Sequence, residues 1–348
     1  MTDRAPKRAG TLSRVLRTTS RLPSVLVALA LVAAVVLGAA GPASIGPAAA
    51  RTSRDPGPFK GLGAWVDAFD YAPAFQSPTG VVTVTPDAVP DMAALGVKTL
   101  YLQAAMNDAR APEMIVDEKL VGEFLVRAHR AGVHVVAWYF PVLSDPAVDL
   151  AHLKALADFR SRGQRFDALA LDIESTRSVP DVAERNDRIV EVAKDTRKLV
   201  GEQPLGAIVY PAVQAEVVNP ALWPKFPYKR LAKQVDVWMP MAYWTFRDGT
   251  YRDPYTYTAE SITRLRDDLG DKRALVHPIG GIGDLSTAKD YDAFLKAVYD
   301  TKSVGWSIYD YNTMVSSAWP RLRTGGVPTT TTTTTTTAPP SARASSRE

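Results

Sequence analysis

Two acidic residues, Asp172 and Glu174, lie two positions apart at the end of an apolar segment. Successive side chains of a β-strand point to opposite faces, so these two carboxylates would share one face, about 6 to 7 Å apart. Two carboxyl groups at this spacing can hold and transfer protons, as general acid/base catalysis requires. The same spacing fits a pair of solvated acids, or acids held by arginines. The choice between these interpretations depends on the rest of the sequence.

The segment that carries the two acids alternates with a period of two residues. Leu169, Leu171 and Ile173 would fall on one face, with Ala168 and Ala170 on the face of the acids. The large apolar face predicts a layer of helices packed against the strand. The two carboxylates are therefore expected at the carboxyl end of a buried strand.

A strand followed by a helix recurs along residues 61–324. The predicted strands start roughly 30 to 38 residues apart and cover residues 63–70, 97–104, 133–140, 167–174, 205–210, 235–244, 273–279 and 304–311. The helices between them are predicted to follow the capping residues Thr85, Asp117 and Asp145 and to cover residues 181–200, 228–233, 258–269, 286–299 and 317–322.

Eight strand–helix units of this length predict an α/β fold, a single-domain (β/α)8 TIM barrel over residues 61–324. A doubly wound open sheet is the alternative, although such a sheet does not need eight regular units. Side chains at the carboxyl ends of barrel strands meet in one cup, where barrel enzymes carry their active sites.

The predicted strand ends bring acids and aromatic rings to this cup. The candidate site residues are Trp65, Asp67, Gln103, Tyr139, Asp172, Glu174, Tyr210, Tyr243, Trp244, His277 and Tyr309. Trp138 and Trp306 are assigned to the core instead. Cleavage of a glycosidic bond needs a carboxylic acid to protonate the leaving oxygen and a second anionic group to stabilise an oxocarbenium-like state. Aromatic rings can stack on the apolar faces of sugars, so this set indicates carbohydrate chemistry.

A family resemblance points to the same chemistry. The fourth strand resembles the Asp-x-x-Asp-x-Asp-x-Glu signature of the chitinase-type glycoside hydrolases of family 18. Asp167, Asp172 and Glu174 match its first, third and fourth acids, and Ala170 stands in place of the second. Met241-Ala242-Tyr243 matches the Met-x-Tyr of the same family.

The resemblance implies roles for individual residues. Glu174 would be the general acid, Asp172 its partner and Tyr243 a hydrogen-bond donor at the cleavage subsite. Trp244 follows Tyr243 where the family has an acid. The lysozyme-type hydrolases of family 25 are a less close resemblance, which implies a third catalytic carboxylate at Asp67.

Composition narrows the class of protein further. The chain has no cysteine, which excludes disulfides, thiol nucleophiles and thiolate metal sites. The formal charge of +4 comes from residues 1–50, which contain six basic residues against Asp3 alone. The remaining chain is close to neutral, so we expect no binding to nucleic acid. Only His277 among the histidines approaches the predicted mouth, so neither a metal nor a cofactor is expected.

Both ends of the chain are predicted to lie outside the barrel domain. Residues 1–50 join a basic start to an apolar stretch and end in Ala48, Ala49 and Ala50, which predicts a cleaved signal peptide. An uncleaved membrane anchor within residues 22–40 is the alternative. Residues 51–60 form a linker. Residues 325–348 include a run of threonines and predict a disordered tail, either a spacer or a dispensable end.

The sequence therefore predicts an exported glycoside hydrolase that acts on a cell-wall or extracellular polysaccharide, with Glu174, Asp172 and Asp67 as catalytic residues. The alternative is a non-catalytic barrel, associated with glycans or with the envelope. Such a barrel would have lost its hydrolase activity together with the signature acid that Ala170 replaces. The oligomeric state is left open by the sequence.

Overall fold

The computed structural model describes residues 54–76, 80–111 and 113–325. The predicted leader, residues 1–50, and the tail beyond Gly325 lie outside these residues. Within the part that is described, we find no helix with both the length and the apolar character needed to cross a bilayer.

Nine parallel strands form one curled sheet surrounded by helices. The strands are β1 Gly61–Val66, β2 Thr99–Gln103, β3 His134–Tyr139, β4 Ala168–Ile173, β5 Leu205–Val209, β6 Val237–Pro240, β7 Leu275–Val276, β8 Ile279–Ile282 and β9 Gly305–Tyr309. Neighbours in the sheet follow the order β7-β6-β5-β4-β3-β2-β1-β9-β8. The predicted TIM-like α/β barrel is confirmed.

The extra strand arises because the predicted seventh strand is divided in two by Pro278. Proline has no N–H to donate to a ladder, so β7 stops before it and β8 begins after it. β7 pairs with β6, and the carbonyl of Val276 accepts a hydrogen bond from Val304 N at 2.9 Å. Met241 forms a parallel bridge with Ile279. The two ends of the sheet thereby meet.

Helices cover the outside of the sheet and begin largely where capping residues predict them. They are α1 Ala68–Tyr71, α2 Val89–Ala94, α3 Glu118–Arg130, α4 Pro146–Asp158, α5 Val182–Val200, α6 Tyr228–Leu231, α7 Pro254–Leu269, α8 Ala288–Asp300 and α9 Trp319–Leu322. Asp117 accepts a hydrogen bond from Leu120 N, and Asp181 accepts one from Glu184 N. The sixth predicted helix, α7, starts earlier than expected, because Asp253 caps it ahead of Pro254.

The core has an inner layer inside the barrel and an outer layer between strands and helices. Ala168 and Ala170 pack in the inner layer, whereas Leu169, Leu171 and Ile173 pack in the outer one. The predicted alternation of β4 is confirmed. Its acidic face therefore opens into the barrel.

The sixth strand is shorter than predicted. As a result, the neighbouring candidates Tyr243 and Trp244 take different positions: Tyr243 lines the inside of the barrel mouth, and Trp244 lies in the outer layer of the core. β6 ends at Pro240, and the chain then turns tightly, with Tyr243 N bonded to the carbonyl of Met241 at 2.7 Å. A side chain at Gly280 or Gly281 would lie within 2.8 Å of the ring of Trp244. Both glycines lie in β8 and leave the space that Trp244 fills.

Candidate active site

The carboxyl ends of the strands surround a cavity of about 550 Å³, which lies within the usual range for a small-molecule site. Seven candidate residues line it, namely Trp65, Asp67, Gln103, Asp172, Glu174, Tyr243 and Tyr309. Tyr210 lies beside it, in a smaller pocket that shares Glu174. The strand ends thus bring eight of the eleven candidates to one place.

Asp172 and Glu174 lie together in the wall of this cavity. Asp172 is on the inner face of β4 and is only 7% exposed, and its Oδ1 atom has no hydrogen-bond partner among the described residues. Glu174 follows the end of the strand, where its backbone carbonyl accepts a hydrogen bond from the Tyr210 hydroxyl at 3.1 Å. Next to it, Ser175 Oγ donates to the carbonyl of Val142 at 2.8 Å. Hydrogen bonds to Tyr210 and to Val142 therefore fix the backbone at Glu174 and Ser175.

Both carboxyl groups have a raised pKa. Burial raises the pKa of Asp172 well above its usual value, and the charge of Glu174 raises it further. Burial also raises the pKa of Glu174. Desolvation is therefore the main cause for both groups. The pair retains a proton at a pH where two separate acids would have lost theirs.

Tyr243 lines the same cavity as this pair. Burial raises its pKa well above the usual value, with further contributions from the negative charges of Asp172 and Glu174. The hydroxyl therefore stays protonated and can donate a hydrogen bond into the cavity. Its ring lies 5.9 Å from that of Tyr309, centroid to centroid.

Asp67 also lines the cavity, but its carboxylate is occupied. Oδ1 accepts hydrogen bonds from Phe69 N at 2.8 Å and Asp70 N at 3.2 Å, so Asp67 caps α1. Oδ2 accepts a bond from the Tyr309 hydroxyl at 2.8 Å. With both oxygens in use, Asp67 holds Tyr309 and the start of α1 in place. This geometry suits a positioning residue better than the third catalytic carboxylate that was predicted.

Two further acids lie beside Asp67, and the three could offer oxygens to a cation. Oxygen atoms of Asp67, Asp70 and Asp310 all lie within 4.8 Å of one another. Burial, followed by the charges of the other two acids, raises the pKa of Asp70 to about 7. Asp70 accepts a bond from Asn312 Nδ2 at 3.0 Å, and Asp310 accepts one from Thr313 N at 2.9 Å. Hydrogen bonds within the protein account for this cluster.

Two of the predicted substrate-binding residues lie in the outer layer. Tyr139 points outward from β3, where its hydroxyl donates to Asp149 Oδ1 at 2.8 Å and its ring stacks on His152. Trp244 is fully buried and packs against Phe294. Neither lines the cavity, so the expectation that they contact a ligand there is corrected.

His277 lies beneath the cavity rather than in its wall. Its Nδ1 atom lies 2.9 Å from the carbonyl of Phe59, and Nε2 lies 3.0 Å from Ser307 Oγ, which also accepts a bond from Trp65 Nε1 at 2.8 Å. Burial lowers the pKa of His277 to about 4. A neutral ring that donates from Nδ1 and accepts at Nε2 satisfies these contacts. His277 therefore supports Trp65 from below, a correction to its predicted role.

Four aromatic residues that sequence reasoning did not select line the cavity: Phe69, Trp138, Phe140 and Phe246. Trp138 is paired with Ala170 across β3 and β4, which puts it on the inner face. Had this register been known, Trp138 rather than Tyr139 would have been predicted to line the cavity. Phe69 and Phe246 are exposed to 46% and 56%, and they follow β1 and β6. They offer rings at the rim of the cavity.

Comparison with known proteins gives structural matches and no sequence matches. No family model matches this sequence, and no curated protein is significantly similar to it. A family 18 chitinase from Cycas revoluta, solved with (GlcNAc)4, has a TM-score of 0.56 at 13% identity over 76% of this chain and 99% of that one. The spore cortex-lytic enzyme SleL of Bacillus megaterium has a TM-score of 0.55 at 10% identity, over 76% and 73%.

A family 18 N-acetylglucosaminidase from Paenibacillus barengoltzii has a TM-score of 0.54 at 9% identity, over 76% of this chain and 99% of that one. Identities this low establish the fold and leave the activity to the site. The chain has the fold of a glycoside-hydrolase-like TIM barrel that resembles family 18.

Proposed function

We propose that the protein is an exported glycoside hydrolase that cleaves a cell-wall or extracellular polysaccharide. The observation that carries this proposal is the carboxyl pair Asp172 and Glu174, buried in the wall of a cavity with Tyr243 and several aromatic rings. Structures similar to this one include chitinases solved with N-acetylglucosamine oligomers, which supports a carbohydrate as the ligand. Export rests on residues 1–50.

Glu174 is the proposed general acid. It is less buried than Asp172 and borders two pockets, so it can reach the glycosidic oxygen. Its raised pKa keeps it protonated for longer as the pH rises, and protonation of the leaving oxygen uses that proton. Asp172 lies beneath it and, once it loses its own proton, stabilises positive charge at the reacting carbon.

The Glu174→Gln variant tests this assignment. A glutamine keeps the shape of the side chain but cannot donate a carboxyl proton, so kcat should fall about 10²–10⁴-fold. Release of reducing ends from chitin and peptidoglycan fragments measures it. Glu191→Gln is a matched control, since Glu191 pairs with Lys194 on the surface of α5. Equal activity of the Glu174 variant and wild type would end the assignment.

The alternative function is a barrel that binds glycans without cleaving them. The full use of Asp67 in hydrogen bonds favours it, because one of the three predicted catalytic carboxylates is then committed to structure. Binding of an oligosaccharide by wild type, with no reducing ends released over a long incubation, would support this alternative over hydrolysis.

A further inference from the structure

A smaller pocket of about 220 Å³ opens beside Glu174, between the ends of β5 and β6. It shares Glu174, Met241, Tyr243 and Phe246 with the main cavity, so the two spaces meet at the proposed general acid. A polymer chain that places its scissile bond at Glu174 would extend into this side pocket. The groups that line the pocket therefore bear on which sugar unit it accepts.

Arg247 is the basic residue in the wall of the side pocket. Its Nη1 atom donates to Gln214 Oε1 at 2.5 Å, and its guanidinium lies 6.0 Å from the ring centroid of Tyr257. Within the part of the chain that the structure describes, Arg247 forms no ion pair, and its Nε atom is buried without a hydrogen-bond partner. A half-buried guanidinium is thus held in place without a carboxylate to neutralise it.

The acids near this pocket are engaged elsewhere. Glu216 and Glu260 both pair with Arg264, at 3.2 and 2.8 Å. A buried charge or donor without a partner is costly, so such a group is best explained by a partner that arrives from outside.

A depression next to the side pocket also contains arginines. Leu222 joins the pocket to a neighbouring depression that contains Arg177 and Arg185. Arg185 is buried against the ring of Trp223, 4.5 Å from its centroid. The cavity wall on the β1 and β4 side is acidic, whereas this side carries three arginines. A substrate with a negative charge on one side of the cleavage point would be oriented by this difference.

We propose that the side pocket binds a carboxylate of the substrate through Arg247, so that the substrate is an acidic glycan rather than a neutral one. Because Gln214 occupies Nη1, the Nε and Nη2 edge is the part of the guanidinium left for a ligand. That edge matches the two oxygens of a carboxylate. The carboxylate could belong to a uronic acid or to a lactyl ether on an amino sugar. This inference rests on the proposed function, since it assumes that a glycan occupies the main cavity.

Three tetrasaccharides of similar size test the proposal. They are (GlcNAc)4, which is neutral, a hyaluronan fragment with uronic acids, and a peptidoglycan glycan fragment with lactyl ethers. Dissociation constants from tryptophan fluorescence in the Glu174→Gln background keep binding separate from cleavage. We expect at least one acidic probe to bind about ten- to hundredfold more tightly than the neutral one, the usual effect of hydrogen bonds to a charged group. The probe that binds identifies the source of the carboxylate.

Arg247→Met should abolish this preference and leave the affinity for (GlcNAc)4 unchanged, while Arg247→Lys should retain part of it. Arg230→Gln is the matched control, because Arg230 pairs with Asp187 at the surface. Thermal unfolding of each variant shows whether it is folded. Equal affinities for the neutral and acidic probes, or an Arg247→Met effect on all three alike, would overturn the inference. Tight acidic binding without cleavage by wild type would instead contradict the proposed function alone.

Discussion

The barrel mouth carries two groups of carboxylates, one after β1 and β9 and the other at the end of β4. Asp67, Asp70 and Asp310 accept hydrogen bonds from backbone amides, a phenol and an amide side chain. Asp172 belongs to the same cup, but one of its buried oxygens has no hydrogen-bond partner within the part of the chain that the structure describes. Acids that the protein itself satisfies are part of the framework. Acids that it leaves unsatisfied are available to a substrate.

Asp172→Asn should have the largest effect of the variants that separate the two groups. It removes the carboxyl group that stabilises positive charge beside Glu174, so we expect kcat to fall by at least 10²-fold. The same variant should be more stable than wild type at pH 7. An acid whose pKa is raised by folding destabilises the folded state increasingly as the pH rises above its unfolded value, and asparagine has no such penalty. Activity assays and thermal unfolding check the two expectations, and a stability loss at pH 7 would contradict the account.

Asp67→Ala should show the opposite pattern. The variant loses the cap of α1 and the partner of the Tyr309 hydroxyl, which should cost about 0.5 to 2 kcal/mol in the free energy of unfolding. Catalysis should decrease less than for Asp172→Asn, because the carboxylate is already occupied. Denaturant unfolding and kcat measure both effects. If hydrolysis disappeared while stability stayed unchanged, Asp67 would be a catalytic carboxylate after all.

Asp70→Asn should produce the smallest effect, a change in the pH dependence of stability. The pKa of Asp70 is about 7 in the folded protein, against an ordinary value of 3.8. The folded state therefore holds a proton that the unfolded chain has released, and stability falls as the pH rises from about 4 to about 7. Melting temperatures across this range should fall less steeply for the variant than for wild type. Identical slopes would show that Asp70 has an ordinary pKa.

The sequence was sufficient for the barrel and for the pair of acids, because both depend on local periodicity. The alternation of β4 alone places Asp172 and Glu174 on the inner face, and the structure confirms the layers that it implies. The aromatic residues that face the cavity could not be predicted without the register between strands. Trp138 and Tyr139 are neighbours, and pairing with Ala170 decides which of them faces the cavity.

Other parts of the site depended on contacts between segments far apart in the sequence. Trp244 lies outside the barrel mouth, contrary to the prediction, because β6 ends at Pro240 and because glycines in β8 leave space for the indole. Asp67 proved to be occupied through Tyr309, which lies 242 positions away. A single sequence indicates which residues can do chemistry, but it does not reveal which of them already have partners.

The protonation of Asp172 tests the central claim most directly, and it requires no knowledge of the substrate. Carbon-13 carboxyl resonances of Asp-labelled protein can be followed from pH 3 to pH 9 in wild type and in Asp172→Asn. The account predicts one resonance, missing from the variant, that titrates well above the ordinary aspartate value of 3.8. If the Asp172 resonance titrated near 3.8, the carboxyl pair would not have the raised affinity for protons on which the account depends, and the account would be wrong.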